Sequence, residues 1–407
     1  MSITLQKSNI AKQSSIQITG SKSESNRLLL LQALYPSITL NNISNSDDSQ
    51  LMTKALGSSS DIIDIHHAGT AMRFLTAFLA VQEGKEVTIT GSKRMKERPM
   101  KILVEALQDL GADITYPENE GFPPLKIIGK KLNKRKVTLK ANVSSQYISA
   151  LLLIASKLEN GLELTLEGEI TSVPYINMTL SLLDEIGVAS SFIDNIITVK
   201  PKTDKLKSTN LTVESDWSSA SYFFSIAAIS DIGTEITLSS YKENSLQGDS
   251  VLVDIYKHFG VVSTFKDNSV TLKKTSVNDD SITLDLKNAP DIAQTIAVTS
   301  FALGIPCDLI GLHTLKIKET DRLVALKVEI EKLGGSVEIT DKSLHLTAST
   351  IIKSMVSIAT YNDHRMAMAF APLALKTDIV IEAAGVVSKS YPTFWDDLES
   401  IGFEIKK

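Results

Sequence analysis

Apolar runs recur along the chain, and each is entered through a short polar segment. Alternation at Ile16 and Ile18 predicts a strand, and Gly20-Ser21-Lys22-Ser23-Glu24-Ser25-Asn26-Arg27 leads from it into the apolar run 28–34. That polar stretch therefore lies on a strand-to-helix turn, where the unpaired amides and dipole of a new helix favour an anion. A helix cap from Ser23 or Ser25 is the plainer reading of the same residues. Further apolar runs at 74–81, 150–158, 220–229 and up to Leu303 predict helices as well.

The ends of the helical segments repeat too. Six times a large apolar residue is followed by glycine and then by an alternating, strand-like stretch. The copies are K-A-L-G-S at 54–58, Q-D-L-G-A-D-I at 108–114, D-E-I-G-V at 184–188, K-H-F-G-V-V at 257–262, E-K-L-G-G-S-V at 331–337 and E-S-I-G-F-E-I at 399–405. Glycine suits the left-handed residue just past a helix. Successive glycines are 54, 76, 73, 74 and 68 residues apart. The chain thus reads as six repeated helix–strand units, the first short by about twenty residues. An α/β fold in two groups of three units follows. The divide falls near residue 213, between the Lys-rich stretch 200–207 and the run 220–229, giving an N-terminal domain of 14–213 and a C-terminal domain of 1–13 plus 214–407. A ligand site is expected in the cleft between two such domains.

Composition narrows the chemistry. A net charge of −5 over 407 residues and a pI near 5.8 argue against a nucleic-acid or membrane-surface partner, so clusters of cations must be local sites. Cys307 is the only cysteine, which excludes an intrachain disulfide and a cysteine-rich metal site. The start, M-S-I-T-L-Q-K-S-N, lacks the apolar core of a secretory signal, and the uncharged stretch 292–307 is short for a bilayer span. A soluble cytoplasmic protein is expected.

Several polar entries share a positive charge. His67-Ala68-Gly69-Thr70-Ala71-Met72-Arg73 opens the run 74–81, and Gly69 allows backbone to approach a ligand closely. Arg94-Met95-Lys96-Glu97-Arg98-Pro99 puts three cations ahead of a helix starting near Pro99 or Met100. Ser144, Ser145 and Gln146 offer two hydroxyls and an amide at another helix start, and Ser172 and Tyr175 a hydroxyl and a phenol at the next. Lys316-Ile317-Lys318-Glu319-Thr320-Asp321-Arg322 begins a helix with Leu323, Leu326, Val328 and Ile330 on its apolar side. Asn362-Asp363-His364-Arg365 enters one more, Ser388-Lys389 comes last, and Asp291 reads as the cap of the helix ending at Leu303. Cations at a helix start oppose the dipole unless an anion sits there. Lys22, Arg27, Arg98, Lys318, Arg322, Arg365 and Lys389, all read at loop-to-helix junctions, therefore predict a ligand carrying phosphate plus carboxylate. The chain has no G-x-x-x-x-G-K-[ST] loop, no G-x-G-x-x-G after a strand and no H-x-x-H or cysteine cluster. Nucleoside triphosphate, dinucleotide and metal chemistry are not indicated.

Taken in order, G-S-K-S-x-S-N-R, A-G-T-A-M-R, R-M-K-E-R-P, S-S-Q-Y, K-E-T-D-R, N-D-H-R-M-A-M and the late Ser-Lys resemble the EPSP synthases (3-phosphoshikimate 1-carboxyvinyltransferases), from about residue 15 to the C-terminus. The resemblance implies two inside-out α/β domains, each of three βαβαββ-like units with the first truncated here, closing over a cleft. It implies a monomer without cofactor or metal that acts on phosphoenolpyruvate and shikimate 3-phosphate. Lys22, Ser23, Arg27, Ser144, Ser145, Gln146, Ser172, Tyr175, Asp291 and Lys318 are implied to hold shikimate 3-phosphate. Lys22, Gly69, Arg98, Gln146, Arg322, Arg365 and Lys389 are implied to hold phosphoenolpyruvate. Asp291 is assigned as base for the acceptor hydroxyl, Glu319 as the group moving the proton at C3 of the donor, and Lys22 as an aid to the C–O steps.

The chain also departs from that pattern. It lacks residues between Gly57 and His67 where the family usually has about two more strands. His67 and Phe74 stand where the family commonly has asparagine and proline, and Thr314 where an asparagine often contacts the acceptor ring. The UDP-N-acetylglucosamine carboxyvinyltransferases, with the same fold and donor, are the alternative. They usually carry a loop cysteine in the first domain, whereas Cys307 follows the Asp291 helix. A non-catalytic anion binder is the other class, but it has no use for Asp291 and Glu319 beside the cations.

Overall fold

The computed structural model describes residues 1–140, 144–168, 170 and 173–407. Two compact units form: Gly20–Val213, and Met1–Thr19 with Glu214–Lys407. Each unit contains three sheets among the described residues.

Five of the six sheets share one pattern, a parallel pair of strands extended by two antiparallel neighbours. In the unit Gly20–Val213 one runs Ile62–Asp64, Glu86–Thr90, Leu125–Ile128, Asp113–Thr115, and another Lys136–Lys140, Leu162–Glu167, Ile196–Val199, Ser190–Ile193. The other unit has three such sheets, whose parallel pairs are Gln13–Ile16 with Glu235–Ser239, Ile282–Asp285 with Cys307–Ile310, and Val356–Ile358 with Ile379–Ile381. The sixth sheet is the parallel pair Thr209–Thr212 and Ile38–Asn41 alone. After its helix, Asp47–Leu56, the chain passes directly to the next sheet at Ile62–Asp64. The antiparallel pair is missing at the short interval in the glycine spacing, so the first unit is truncated.

Helices fill the middle of each unit. Every residue of Gly69–Ala80 is buried, and so is all but one residue of Ser145–Ala155, Trp217–Ile229 and Ala293–Leu303. Helices apolar on all sides belong inside a protein rather than on its surface. The sheets face outward: Lys136–Lys140 buries Val137 and Leu139 and exposes its lysines and threonine. Some of the helices' polar starts meet: Gln146, in the first turn of Ser145–Ala155, donates to Thr70, in the first turn of Gly69–Ala80.

Five of the six repeat glycines, at 111, 187, 260, 334 and 402, have φ between 70° and 116°. Gly57 does not, with φ −87°. The helix before it ends without the left-handed turn because the strand that turn would feed is absent. No helix of the described residues is long and apolar enough to cross a membrane.

Candidate active site

In the unit Gly20–Val213 the helix Lys22–Leu34 is capped by Ser21, whose hydroxyl accepts from the Glu24 amide at 3.5 Å. Neither Ser23 nor Ser25 is the cap; Ser25 Oγ accepts from the Ser44 amide instead. Lys22 is the first residue of the helix, and its ammonium lies 3.7 Å from Asp48. The other oxygen of Asp48 lies 3.8 Å from His67 Nε2.

Arg27 is not at the junction but inside the helix, and only 2% exposed. Its guanidinium donates to Thr179 Oγ1 at 2.8 Å, Ser149 Oγ at 2.9 Å, and the carbonyls of Ser23 and Tyr175 at 2.7 and 3.4 Å. These bonds tie Lys22–Leu34 to Ser145–Ala155 and Val173–Glu185. Burial pulls the Arg27 pKa down to about 10.

Gly69 begins Gly69–Ala80, a helix with no side-chain cap. A Cβ there would strike Arg98 Nη1 and lie 2.9 Å from Arg73 Nη1, so the missing side chain makes room for two guanidiniums. Arg73 Nη1 donates to the Gly69 carbonyl at 2.8 Å and its guanidinium sits 5.7 Å from the Tyr147 ring centroid. Burial, and then Arg98, pulls its pKa down to about 10. Gln146 Nε2 donates to Thr70 Oγ1 at 3.1 Å, and Ser144 caps the helix that carries Gln146. Two guanidiniums, a helix N-terminus and an amide thus converge on Gly69, an arrangement suited to a small anion. The other cations of their segment do not join them. Arg94 pairs with Glu97 at 3.0 Å and Lys96 with Glu118 at 2.8 Å, both at the surface.

The second cluster, in the unit Met1–Thr19 with Glu214–Lys407, is built around Asp291. This residue caps no helix; it sits in the single turn Pro290–Ile292, and Ala293–Leu303 has no side-chain cap. Its carboxylate lies 2.9 Å from Arg322, 3.4 Å from Lys318 and 3.2 Å from Arg365. Arg322 also donates to Glu319 at 2.9 Å and to Asp363 at 2.7 Å. Asp363, fully buried, caps His364–Phe370 by accepting from the Arg365 amide. Burial works against the charge of Arg322, yet Asp363, Glu319 and Asp291 outweigh it and raise the pKa above its ordinary value. Arg365 is likewise raised, burial being overcome chiefly by Asp291.

Arg365 donates to Ser218 Oγ at 3.2 Å, and Ser218 donates to Asp249. Burial first, and the nearby charge of Asp291 second, push Asp249 up to about 6. Lys389 ends the turn Ala384–Lys389 rather than starting a helix, and it donates to the Asn362 carbonyl at 2.6 Å. Thr314 Oγ1 is buried with no hydrogen-bond partner among the described residues. The helix Arg322–Lys332 has Asp321 as cap, and Val328 is exposed rather than on its apolar side.

The structure therefore gathers Lys22, Ser23, Gly69, Arg98, Ser144, Ser145, Gln146 and Tyr175 around helix starts in one unit, with Arg27 as a buried tie behind them. It gathers Asp291, Lys318, Glu319, Arg322 and Arg365 in the other, with Lys389 fixed beside Asn362. Ser172 lies outside the described residues. Asp48, Arg73, Ser218, Asp249 and Asp363 were not singled out by sequence reasoning. Arg73 and Asp363 stand inside the quoted motifs, whereas nothing local marks the other three.

A family model for EPSP synthase (3-phosphoshikimate 1-carboxyvinyltransferase) matches residues 56–398. The chain belongs to the EPSP synthase family. The 3-phosphoshikimate 1-carboxyvinyltransferase of Bacteroides fragilis is 47% identical over 396 residues, 96% of each chain. That of Haemophilus influenzae is 35% identical over 424 residues, covering 96% of this chain and 97% of its own. Among solved structures, an EPSP synthase from Acinetobacter baumannii matches the whole of both chains with a TM-score of 0.82 at 21% identity. The enolpyruvyl transferase NikO from Streptomyces tendae matches with a TM-score of 0.76 at 11% identity, over 98% of its chain. These two share the EPSP synthase fold of the present chain.

Proposed function

We propose that this enzyme transfers the enolpyruvyl group of phosphoenolpyruvate to the 5-hydroxyl of shikimate 3-phosphate and releases phosphate. The observation that supports the proposal is the make-up of each unit: a helix start at Gly69 beside Arg98 and Gln146 in one, and the carboxylates Asp291 and Glu319 held by Arg322 and Arg365 in the other. The acceptor oxygen attacks C2 of the donor, Asp291 takes the hydroxyl proton, and C3 gains a proton from Glu319. The tetrahedral adduct then expels phosphate from C2, which departs with the proton held by Asp291, while C3 returns a proton to Glu319, which restores the enol ether. Lys22 assists the C–O steps. Arg98, Arg322, Arg365 and Lys389 meet the donor's phosphate and carboxylate, and the fixed guanidinium forks stabilise charge on the departing phosphate without reorganising. Ser23, Ser144, Ser145, Gln146, Ser172, Tyr175 and Lys318 serve the acceptor, and Arg27 serves it from behind by holding the carbonyls of Ser23 and Tyr175. The reading calls for no cofactor, and for a cytoplasmic monomer.

Phosphate release from phosphoenolpyruvate, measured with shikimate 3-phosphate or with UDP-N-acetylglucosamine as acceptor, tests it. Release with the first acceptor alone is expected. Release with the second alone assigns the acceptor site to a nucleotide sugar, and silence with both removes the catalytic reading.

A further inference from the structure

We infer that His67 is a positioning residue for Lys22, acting through Asp48 and governed by the hydrogen bond it shares with His66. The inference rests on the proposed role of Lys22 at the substrates.

His66 Nδ1 and His67 Nδ1 are 2.7 Å apart, with the rings edge to face at 84°. The backbone holds this contact in place. His66 has φ +48°, its amide donates to Asp64 at 2.7 Å, and its carbonyl accepts from the Ser92 amide at 2.8 Å. His67 then points Nε2 at Asp48 Oδ1, 3.8 Å away, and Asp48 Oδ2 faces Lys22 Nζ at 3.7 Å. Lys22, Asp48, His67 and His66 form a line that ends three residues before the helix start at Gly69, where Arg98 and Arg73 stand.

Proton counting constrains the line. A hydrogen bond between two Nδ1 atoms has room for one proton, so one imidazole donates and the other accepts. If His66 donates, neutral His67 carries its proton on Nε2, facing the carboxylate. If the pair gains a proton, His67 donates from Nδ1 to His66 and from Nε2 toward Asp48. A neutral His67 that donated from Nδ1 would present a lone pair to Asp48, which the carboxylate disfavours. A doubly charged pair would set two N–H groups against each other at 2.7 Å.

The pair therefore carries zero or one charge, and the imidazole that faces the Asp48 carboxylate is His67. Charged and titratable groups shown along the line are Asp48 and Lys22 from two helices, His66, and Asp64, which accepts from the His66 amide; Arg98 and Arg73 stand nearby at Gly69. Imidazole changes charge in the physiological range. When His67 is neutral, Asp48 is left to pair with Lys22. When His67 is charged, it shares Asp48, and Lys22 is released toward a substrate anion.

The test uses the full-length enzyme and its His67→Asn and His66→Ala variants. The Michaelis constant for phosphoenolpyruvate is measured from about pH 5.5 to 8.5, the range of imidazole titration. In parallel, the Lys22 side-chain signal, assigned by Lys22→Arg, is followed by NMR in enzyme labelled at lysine Cε. Comparison with the variant removes the substrate's own phosphate titration. Wild type is expected to show a KM rise with pH roughly fivefold larger than His67→Asn, the size of one solvent-screened unit charge, with kcat changing less. The Lys22 signal is expected to show a second inflection, absent in His67→Asn and displaced in His66→Ala. Identical KM profiles, or a Lys22 inflection that survives His67→Asn in a protein of unchanged melting temperature, would overturn the relay. An enzyme inactive at every pH removes the proposed reaction instead, and the NMR titration still decides the relay.

Discussion

Replacing Asp291 with asparagine keeps the shape of the side chain and removes its charge, and the surroundings set two opposite consequences. Lys318, Arg322 and Arg365 stand 3.4, 2.9 and 3.2 Å from the carboxylate. Arg322 retains Glu319 at 2.9 Å and Asp363 at 2.7 Å. Its guanidinium is not orphaned, so the destabilisation is expected near ~1 kcal/mol rather than the ~3–5 kcal/mol of a buried charge stripped of its partner. The site becomes more positive by one unit. At an effective dielectric of 20 a unit charge at ~4 Å is worth ~4 kcal/mol, so an anion at about twice that separation gains ~2 kcal/mol, roughly 30-fold in affinity. Loss of a positioned base costs about 10²–10⁴ in rate. Turnover should therefore fall by two to four decades, on that estimate, while phosphoenolpyruvate binds more tightly. Steady-state phosphate release gives kcat, and calorimetric titration with the donor gives Kd. If kcat stays within about threefold of wild type, Asp291 is a brace for the two arginines and the base must be sought elsewhere.

Three further outcomes follow from the same geometry. Asp249, pushed up to about 6, holds a proton in the folded protein that it loses near 4 when unfolded. Its contribution is fully present below about pH 4 and is lost as pH rises through about 6. The difference in melting temperature between Asp249→Asn and wild type should change across that window and level off above it; a difference independent of pH refutes the buried titration. Gly69→Ala pushes a methyl group into Arg98 and Arg73, and should raise KM for phosphoenolpyruvate by at least about tenfold, as a misplaced positioning group does; unchanged KM would place the donor elsewhere. Arg27→Lys cannot span Thr179, Ser149 and two carbonyls, and should destabilise the unit Gly20–Val213 by about 2–4 kcal/mol. Limited proteolysis reads this local loss, and wild-type resistance would mean the bonds are dispensable.

What could be read from the sequence was what local residues decide. A helix that must turn left-handed before a strand needs glycine at that one position, so five repeat glycines announced five junctions, and the short interval announced a sheet of two strands. Partners could not be read in this way. Asp291 meets Arg365 across 74 residues, Arg322 meets Asp363 across 41, and Arg27 meets Thr179 across 152. No spacing rule links such pairs, because the packing of one element against another, not distance along the chain, decides which side chains meet. Surface pairs misled for the same reason: Arg94 and Lys96 sit in a cationic motif yet spend their charge on Glu97 and Glu118.

The hidden carboxylates change the meaning of the cations. Read alone, seven positive groups describe a trap for any polyanion. In the structure Arg322 is almost wholly buried and gripped by Asp291, Glu319 and Asp363, while Arg365 is gripped by Asp291 and tied to Asp249 through Ser218. Those contacts cancel much of the net charge but fix the direction of each guanidinium before a ligand arrives. Dipoles already aimed are worth more to a transition state than loose charge, since they need no reorganisation as phosphate departs. The same carboxylates that immobilise the arginines are also the groups able to accept protons. Asp291, the base proposed above, therefore cannot be altered without changing the electrostatics around Arg322 and Arg365, which is why affinity and turnover are expected to move in opposite directions when it is neutralised.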